Sequence, residues 1–207
     1  MSFKSFNDIN EMQIDVLREI ANIGSGNAAS SLSRMLGHPV NISIPHIGIL
    51  GFNEAYAALG GPETIMMGTL LMLTEGLDGM MMFLLPVEVV CDLVNMLMFT
   101  DIKSRDEIDE MGYSVINEVS NIMSASFVTA IAEMTGISID ISPPEAALDM
   151  LGAIMSVPSI YFAKMSDTLL LIQNELEIDG KKTSASVLLL PDMPSLEKLM
   201  TSLGIAT

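Results

Sequence analysis

A glutamate and an asparagine three residues apart occur twice in this chain, as Glu19 and Asn22 and, 99 positions on, as Glu118 and Asn121. The two copies read Asp15-Val-Leu-Arg-Glu19-Ile-Ala-Asn22-Ile and Ser114-Val-Ile-Asn-Glu118-Val-Ser-Asn121-Ile. An asparagine amide is neither nucleophile nor base near neutral pH, but its NH2 donates and its carbonyl oxygen accepts, so it can orient a water. A glutamate beside it can pair with a partner's lysine. Neither is a complete active site. The sequence has no metal-ligand cluster, no Ser-His-Asp arrangement and no phosphate loop, so any catalytic machinery has to be shared with the substrate.

The spacing gains meaning on a helix, where residues three, four and seven apart share a face. Asp15, Glu19 and Asn22 then form a polar stripe, while Val16, Ile20, Ile23 and Gly24 form an apolar one turned away from it. Ser114, Glu118 and Asn121 against Val115, Val119, Ile122 and Met123 repeat the arrangement. A polar outer face on an amphipathic helix is ordinarily just solvated. Repetition raises the functional reading above that one, because exposed positions of duplicated halves are free to drift, yet Glu and Asn are shared while their neighbours differ. Each copy is also followed by a proline, Pro45 and Pro143, 23 and 22 positions after its asparagine.

The elements that position these residues follow from the pattern along the chain. Asn7 or Asp8 can cap a first helix that runs to about Leu36, where Gly37 and Pro39 stop it. Gly24 and Gly26 inside it each cost about 1 kcal/mol relative to Ala, which points to a close neighbour or a bend. Strand-like patterns follow at Val40 to Ile44, Ile47 to Phe52, Thr64 to Leu73 and Gly79 to Leu85, then a helix from Val87 to Met98. The charged stretch Asp101 to Glu110 reads as the seam between two halves, about 8–100 and 107–207. After the second long helix, Pro143-Pro144-Glu145 predicts a short helix through Met155. That helix has no counterpart in the first half, so Leu148, Asp149 and Leu151 on it are a candidate partner surface. Strands are expected at Ser159 to Lys164, Leu169 to Ile178 and Ser184 to Leu190, and a last helix at Met193 to Leu203. Tight turns such as Glu75-Gly76 and Asp179-Gly180 suggest an antiparallel sheet with helices packed on it.

Composition narrows the function. Half of the 207 residues are hydrophobic, enough for a sizeable core, and the 19 methionines suit it to irregular gaps. A net charge of -17 works against binding nucleic acid or an anionic membrane surface. Cys91 stands alone in an apolar helical pattern and is expected to be buried and inert, and neither His38 nor His46 has a metal-ligand context. The start of the chain lacks the features of a signal peptide, and no run of about 18 apolar residues occurs, so a cytoplasmic, soluble protein without membrane insertion is expected.

The doubled pattern [D/S]-x3-E-x2-N with a proline about twenty residues on, and the run Ile20-Ala-Asn22-Ile-Gly24-Ser-Gly26-Asn27-Ala28, resemble the CheC/CheX/FliY family of chemotaxis phosphatases over nearly the whole chain, with CheC the most similar branch. The resemblance implies one α/β domain over residues 1–207, in which two pseudo-twofold-related halves contribute to one antiparallel β-sheet with long amphipathic helices packed on it. It implies a hydrolase that removes the aspartyl phosphate of the response regulator CheY in two-component signalling. Asn22 and Asn121 would each align the attacking water, and Glu19 and Glu118 would hold the regulator's lysine. Asp15, Ser114, Pro45 and Pro143 would support the motif. The enzyme would need no cofactor of its own, because the regulator supplies Mg2+. CheD is a second implied partner, and the alternative is a non-catalytic binding module for phosphorylated CheY or CheD. A structural part of the flagellar switch is disfavoured by the lack of a further domain.

Overall fold

The computed structural model describes residues 5–162 and 168–205. Its first long helix, α1 (Glu11–Leu36), starts later than Asn7 or Asp8, which lie in a separate 3-10 turn. Asn10 is the cap: its side chain accepts from Gln13 N at 3.1 Å, while Asn10 N donates to Gln13 Oε1 at 2.9 Å, a reciprocal capping box that satisfies two backbone N–H groups of the helix start. The second long helix, α4 (Glu110–Thr135), is capped by Asp109, which accepts from Gly112 N at 2.9 Å. Both helices end on a left-handed glycine, Gly37 at φ 68° and Gly136 at φ 70°.

Between them lie β1 (Val40–Ile42), β2 (His46–Gly51), α2 (Phe52–Ala58), β3 (Ile65–Thr74), β4 (Gly79–Pro86) and α3 (Val87–Met98). After α4 the series returns as β5 (Asp140–Ile141), β6 (Glu145–Met150), α5 (Leu151–Ile154), α6 (Ser156–Phe162), β7 (Thr168–Ile178), β8 (Lys181–Pro191) and α7 (Met193–Ser202). Every strand pair is antiparallel, in the order β1-β7-β8-β4-β3-β5, with β2 also on β7 and β6 also on β3. The halves are therefore interlocked: β1 and β2 of the first half lie on β7 of the second, and β5 and β6 of the second lie on β3 of the first.

The central β4·β8 ladder carries the pseudo-twofold axis. Phe83-Leu-Leu-Pro86 corresponds to Leu188-Leu-Leu-Pro191, and the register pairs Met82 with Leu188 and Phe83 with Val187, so equivalent residues face each other across a point between them. A twofold that exchanges adjacent antiparallel strands stands perpendicular to the sheet. Helices α1 and α4, which pack together on one face, consequently run in opposite directions.

Strict alternation along the central strands feeds two cores. Met81, Phe83 and Leu85 join α1, α3, α4 and α7 on one face, while Met80, Met82 and Leu84 meet Ala55 and Leu59 near α2 and Leu151 and Ile154 of α5 on the other. Burial on both faces explains the unbroken apolar run, since each fully buried Met, Leu or Phe contributes about 1.5–3 kcal/mol. The methionine run is core packing in a strand, and Cys91 is buried within α3.

Two expected elements differ. Glu145–Met150 is a strand, not the start of a helix, and it pairs with β3 from Ile65↔Met150 to Leu70↔Glu145. Its alternating exposure suits a sheet edge, and pairing outweighs the helix preference of its alanines and glutamate. Its first-half counterpart is β2, so this segment is no asymmetry between the halves. Leu151 falls in α5 at 0% exposure and is core, not partner surface. Ser156–Phe162 is helical where a strand from Ser159 was expected; Pro158 sits in the first turn, where its missing N–H is not needed, and Ser159 Oγ donates to Met155 O at 2.7 Å. Residues 163 and 164 of that expected strand lie outside the described residues.

Candidate functional site

The two long helices carry both copies of the motif on the face away from the sheet. Asp15, Glu19 and Asn22 of α1 are exposed, as are Ser114, Glu118 and Asn121 of α4, while Ile20, Gly24, Val119 and Met123 are buried beneath them. No hydrogen bond or ion pair within the described residues engages Glu19, Asn22, Glu118 or Asn121, so all four side chains are free to meet a partner.

Buried hydroxyl contacts fix the rotation of each helix. Ser25 of α1 donates to Asn174 Oδ1 of β7 at 3.4 Å, and Ser120 of α4 donates to Thr69 Oγ1 of β3 at 3.0 Å. Each helix is thus tied to the long strand of the other half, and Ser120 is the immediate neighbour of Asn121. Low local dielectric makes such buried contacts costly to break, so they hold the asparagines outward.

The helices meet closely where Gly24 faces Phe127. A Cβ on Gly24 would stand 2.9 Å from Phe127 Cδ1 and 3.2 Å from its Cα. By symmetry the crossing centres near Gly26 and Ala125, so each asparagine lies about one helical turn, roughly 6 Å along its own helix, from the crossing, in opposite directions. Gly26 itself meets nothing within 4 Å, so only Gly24 answers the expectation of a close neighbour.

Beside the crossing lies a groove of about 740 Å³ between the two helices, lined by Asn27, Ser30 and Arg34 of α1 and Ile122, Ser126 and Thr129 of α4. Neither Glu nor either motif Asn lines it. The candidate residues stand on open helix surface, and such a surface can complete another protein's pocket. Among the described residues no group of three or more His, Cys, Asp or Glu could hold a metal. His38 pairs with Asp179 at the β7–β8 turn, Nδ1 to Oδ1 3.0 Å, and His46 is exposed on β2.

The supporting positions divide. Asp15 is ion-paired with Arg18, a residue the sequence reading left out although i,i+3 spacing on a helix marks such pairs. In the second copy Ser114 and Asn117 occupy these places, and Asn117 Oδ1 is buried with no hydrogen-bond partner among the described residues. Pro45 is buried directly before β2. Its structural counterpart is Pro144, directly before β6, not the exposed Pro143, and with Pro144 the offset from Asn121 equals that from Asn22. Leu148 is half-buried against the core and Asp149 is exposed, both on β6. Helix α4 alone among the described residues has the length and hydropathy of a membrane span, but 56% of that window is buried against the rest of the fold.

A family model described as the CheC-like family matches residues 12–49 and 111–147, which run in each half from the long helix into the strand region beyond it. The chain is 31% identical to the CheY-P phosphatase CheC of Bacillus subtilis (strain 168) over 205 residues, covering 96% of this chain and 97% of that one. It is 28% identical to the flagellar motor switch phosphatase FliY of the same bacterium over 142 residues, 68% of this chain and 37% of FliY. Among solved structures, FliY of Thermotoga maritima matches with a TM-score of 0.76 at 24% identity, covering 95% of this chain and 98% of that one. With two copies of the Glu/Asn motif on paired helices and a near full-length relative of this kind, the chain belongs to the CheC-like family.

Proposed function

We propose that this chain is a chemotaxis phosphatase that hydrolyses the aspartyl phosphate of the response regulator CheY. The observation that carries the reading is the pair of exposed, uncommitted Glu/Asn sets at equivalent positions of two antiparallel helices. The named relatives, a CheY-P phosphatase and a flagellar switch phosphatase, support the same reaction class.

In this reading the regulator brings its own acidic pocket, Mg2+ and lysine, and one helix of this chain closes over it. Glu19 or Glu118 pairs with the lysine and fixes the register of docking. Asn22 or Asn121 then holds a water in line with the phosphorus, accepting from it through Oδ1 and donating to the phosphoryl region through Nδ2. The water oxygen forms the new bond to phosphorus, the bond to the aspartyl oxygen breaks, and the products are a free carboxylate and inorganic phosphate. Orientation supplies the acceleration, as with the water-positioning glutamine of small GTPases.

The deciding experiment follows decay of phosphorylated CheY with the wild-type protein, Asn22→Ala, Asn121→Ala and both together. The reading expects faster decay with wild type, a partial loss in each single variant and none left in the double. Bound regulator whose decay is unchanged by the wild-type protein sinks it. We also propose a binding role for β6, which among the described residues pairs only with β3, leaving its outer edge free, and carries the exposed Asp149. Such an edge accepts a partner strand or loop, and CheD is the partner we assign to it. Asp149→Lys should abolish CheD capture without changing CheY-P turnover by the chain alone.

A further inference from the structure

Met12 and Met111 are exposed by 67% and 60%, in the first turns of α1 and α4. They occupy equivalent positions, each seven residues before the motif glutamate. Seven residues are two turns, so each methionine lies on the same face as its Glu and Asn, about 10 Å along the helix from the glutamate. Neither belongs to a core cluster or to the half-buried residues packed around one.

A single exposed apolar side chain needs no explanation. Here the pairing does. Of the large apolar side chains exposed among the described residues, which include Ile44, Phe99 and Ile160, only Met12 and Met111 fall at matching positions of the two halves. The charged positions between them and the asparagines have diverged, Asp15 to Ser114 and Arg18 to Asn117, while the methionine, like the Glu and the Asn, is retained.

We infer that Met12 and Met111 are the apolar anchors of the two sites, each seated on an apolar patch of the regulator beside its phosphorylated pocket. The inference rests on the phosphatase reading and extends each docking stripe by two turns. A flexible thioether suits it, since it can adapt to a surface it does not pack against in the free protein. The anchor adds contact in ground state and transition state alike, so its loss raises KM and leaves kcat in place.

The test uses single-site backgrounds. With Asn121→Ala present, Met12→Ala should raise the KM for CheY-P roughly three- to tenfold; with Asn22→Ala present, Met111→Ala should do the same. Ile44→Ala, more exposed still but off both stripes, is the control. A KM unmoved in both backgrounds, or a fall in kcat instead, overturns the inference. If the wild-type protein has no phosphatase activity, the underlying reading has failed, and binding of beryllofluoride-activated CheY becomes the readout. Weaker binding by the Met12→Ala/Met111→Ala double variant then keeps the docking surface, and unchanged or undetectable binding removes it.

Discussion

Gly24 of α1 lies against Phe127 of α4 so closely that a methyl group on the glycine would stand 2.9 Å from Cδ1 and 3.2 Å from Cα of the phenylalanine. Phe127 is itself held edge-on to Phe83 of β4, with ring centroids 6.0 Å apart, an arrangement worth about 0.5–1.5 kcal/mol beyond burial. The ring cannot retreat without disturbing the centre of the sheet. The contact therefore sets the distance between the two helices that carry the candidate sites.

Alanine substitution at the two neighbouring glycines should have opposite effects. Gly24→Ala inserts a methyl into a packed crossing and should cost about 1–3 kcal/mol. Gly26→Ala meets nothing within 4 Å and should stabilise by about 0.5–1 kcal/mol through helix propensity. Denaturant midpoints of the two variants measure both; loss of stability at Gly26 or none at Gly24 would contradict the crossing geometry.

How much of this was legible beforehand depended on how local each cause was. The helix Val87–Met98 was readable to the residue because Pro86 and the apolar period bound it locally, and the Glu/Asn stripes were readable because helical spacing alone puts them on one face. Glu145–Met150 takes its conformation from β3, about eighty residues earlier in the chain, so its local pattern points to a helix instead, and the place of Leu151 in the core follows from the same long-range pairing. The exchange of β2 and β6 between halves had no local signal at all. Arg18 could have been found, since it stands three residues after Asp15. Pro144 could have been chosen over Pro143 by requiring an equal offset in both copies, a choice the strand starts now make.

The lone thiol should be unreactive in the folded protein. Burial pushes the Cys91 thiol above its ordinary value, and the carboxylates of Asp92, Glu107 and Glu88 push the same way. A raised value means less thiolate at a given pH, so native protein at pH 8 should react with a disulfide reagent at least about tenfold more slowly than unfolded protein. The sign also makes high pH destabilising: the unfolded thiol ionises first, so stability falls as pH rises past its value. Labelling as fast as in denaturant would show that Cys91 is reached from solvent.

Asp15 and Ser114 begin the two motifs with different charges, and the residue three places on changes with them, Arg18 against Asn117. Each pair is neutral as a unit. Arg18 is four residues before Asn22 and within reach of it on the helix, and its pairing with Asp15 directs the guanidinium away. Asp15→Ser alone should release Arg18 toward Asn22 and lower the turnover of an Asn121→Ala protein, in which the α1 site would act alone, by about three- to tenfold. Asp15→Ser with Arg18→Asn, which copies the second site, should restore it. Equal losses in the single and double variants would mean that Asp15 acts directly on the regulator.

Removing the charge of the glutamates tests whether docking and chemistry are separate. Among the described residues Glu19 and Glu118 have no partner, so a lysine presented by the regulator would meet a carboxylate that has nothing to give up. Glu→Gln keeps the size and removes the charge. If the carboxylate only holds the regulator, the Glu19→Gln/Glu118→Gln protein should show a KM raised about tenfold or more, the scale of one charge-assisted hydrogen bond, with kcat preserved. Its kcat/KM should also depend less on salt than that of the wild type, because screening acts on the pair that has been removed. A fall in kcat at unchanged KM would instead put the glutamates at the reacting phosphoryl group, and the water would then be held by a Glu and an Asn together.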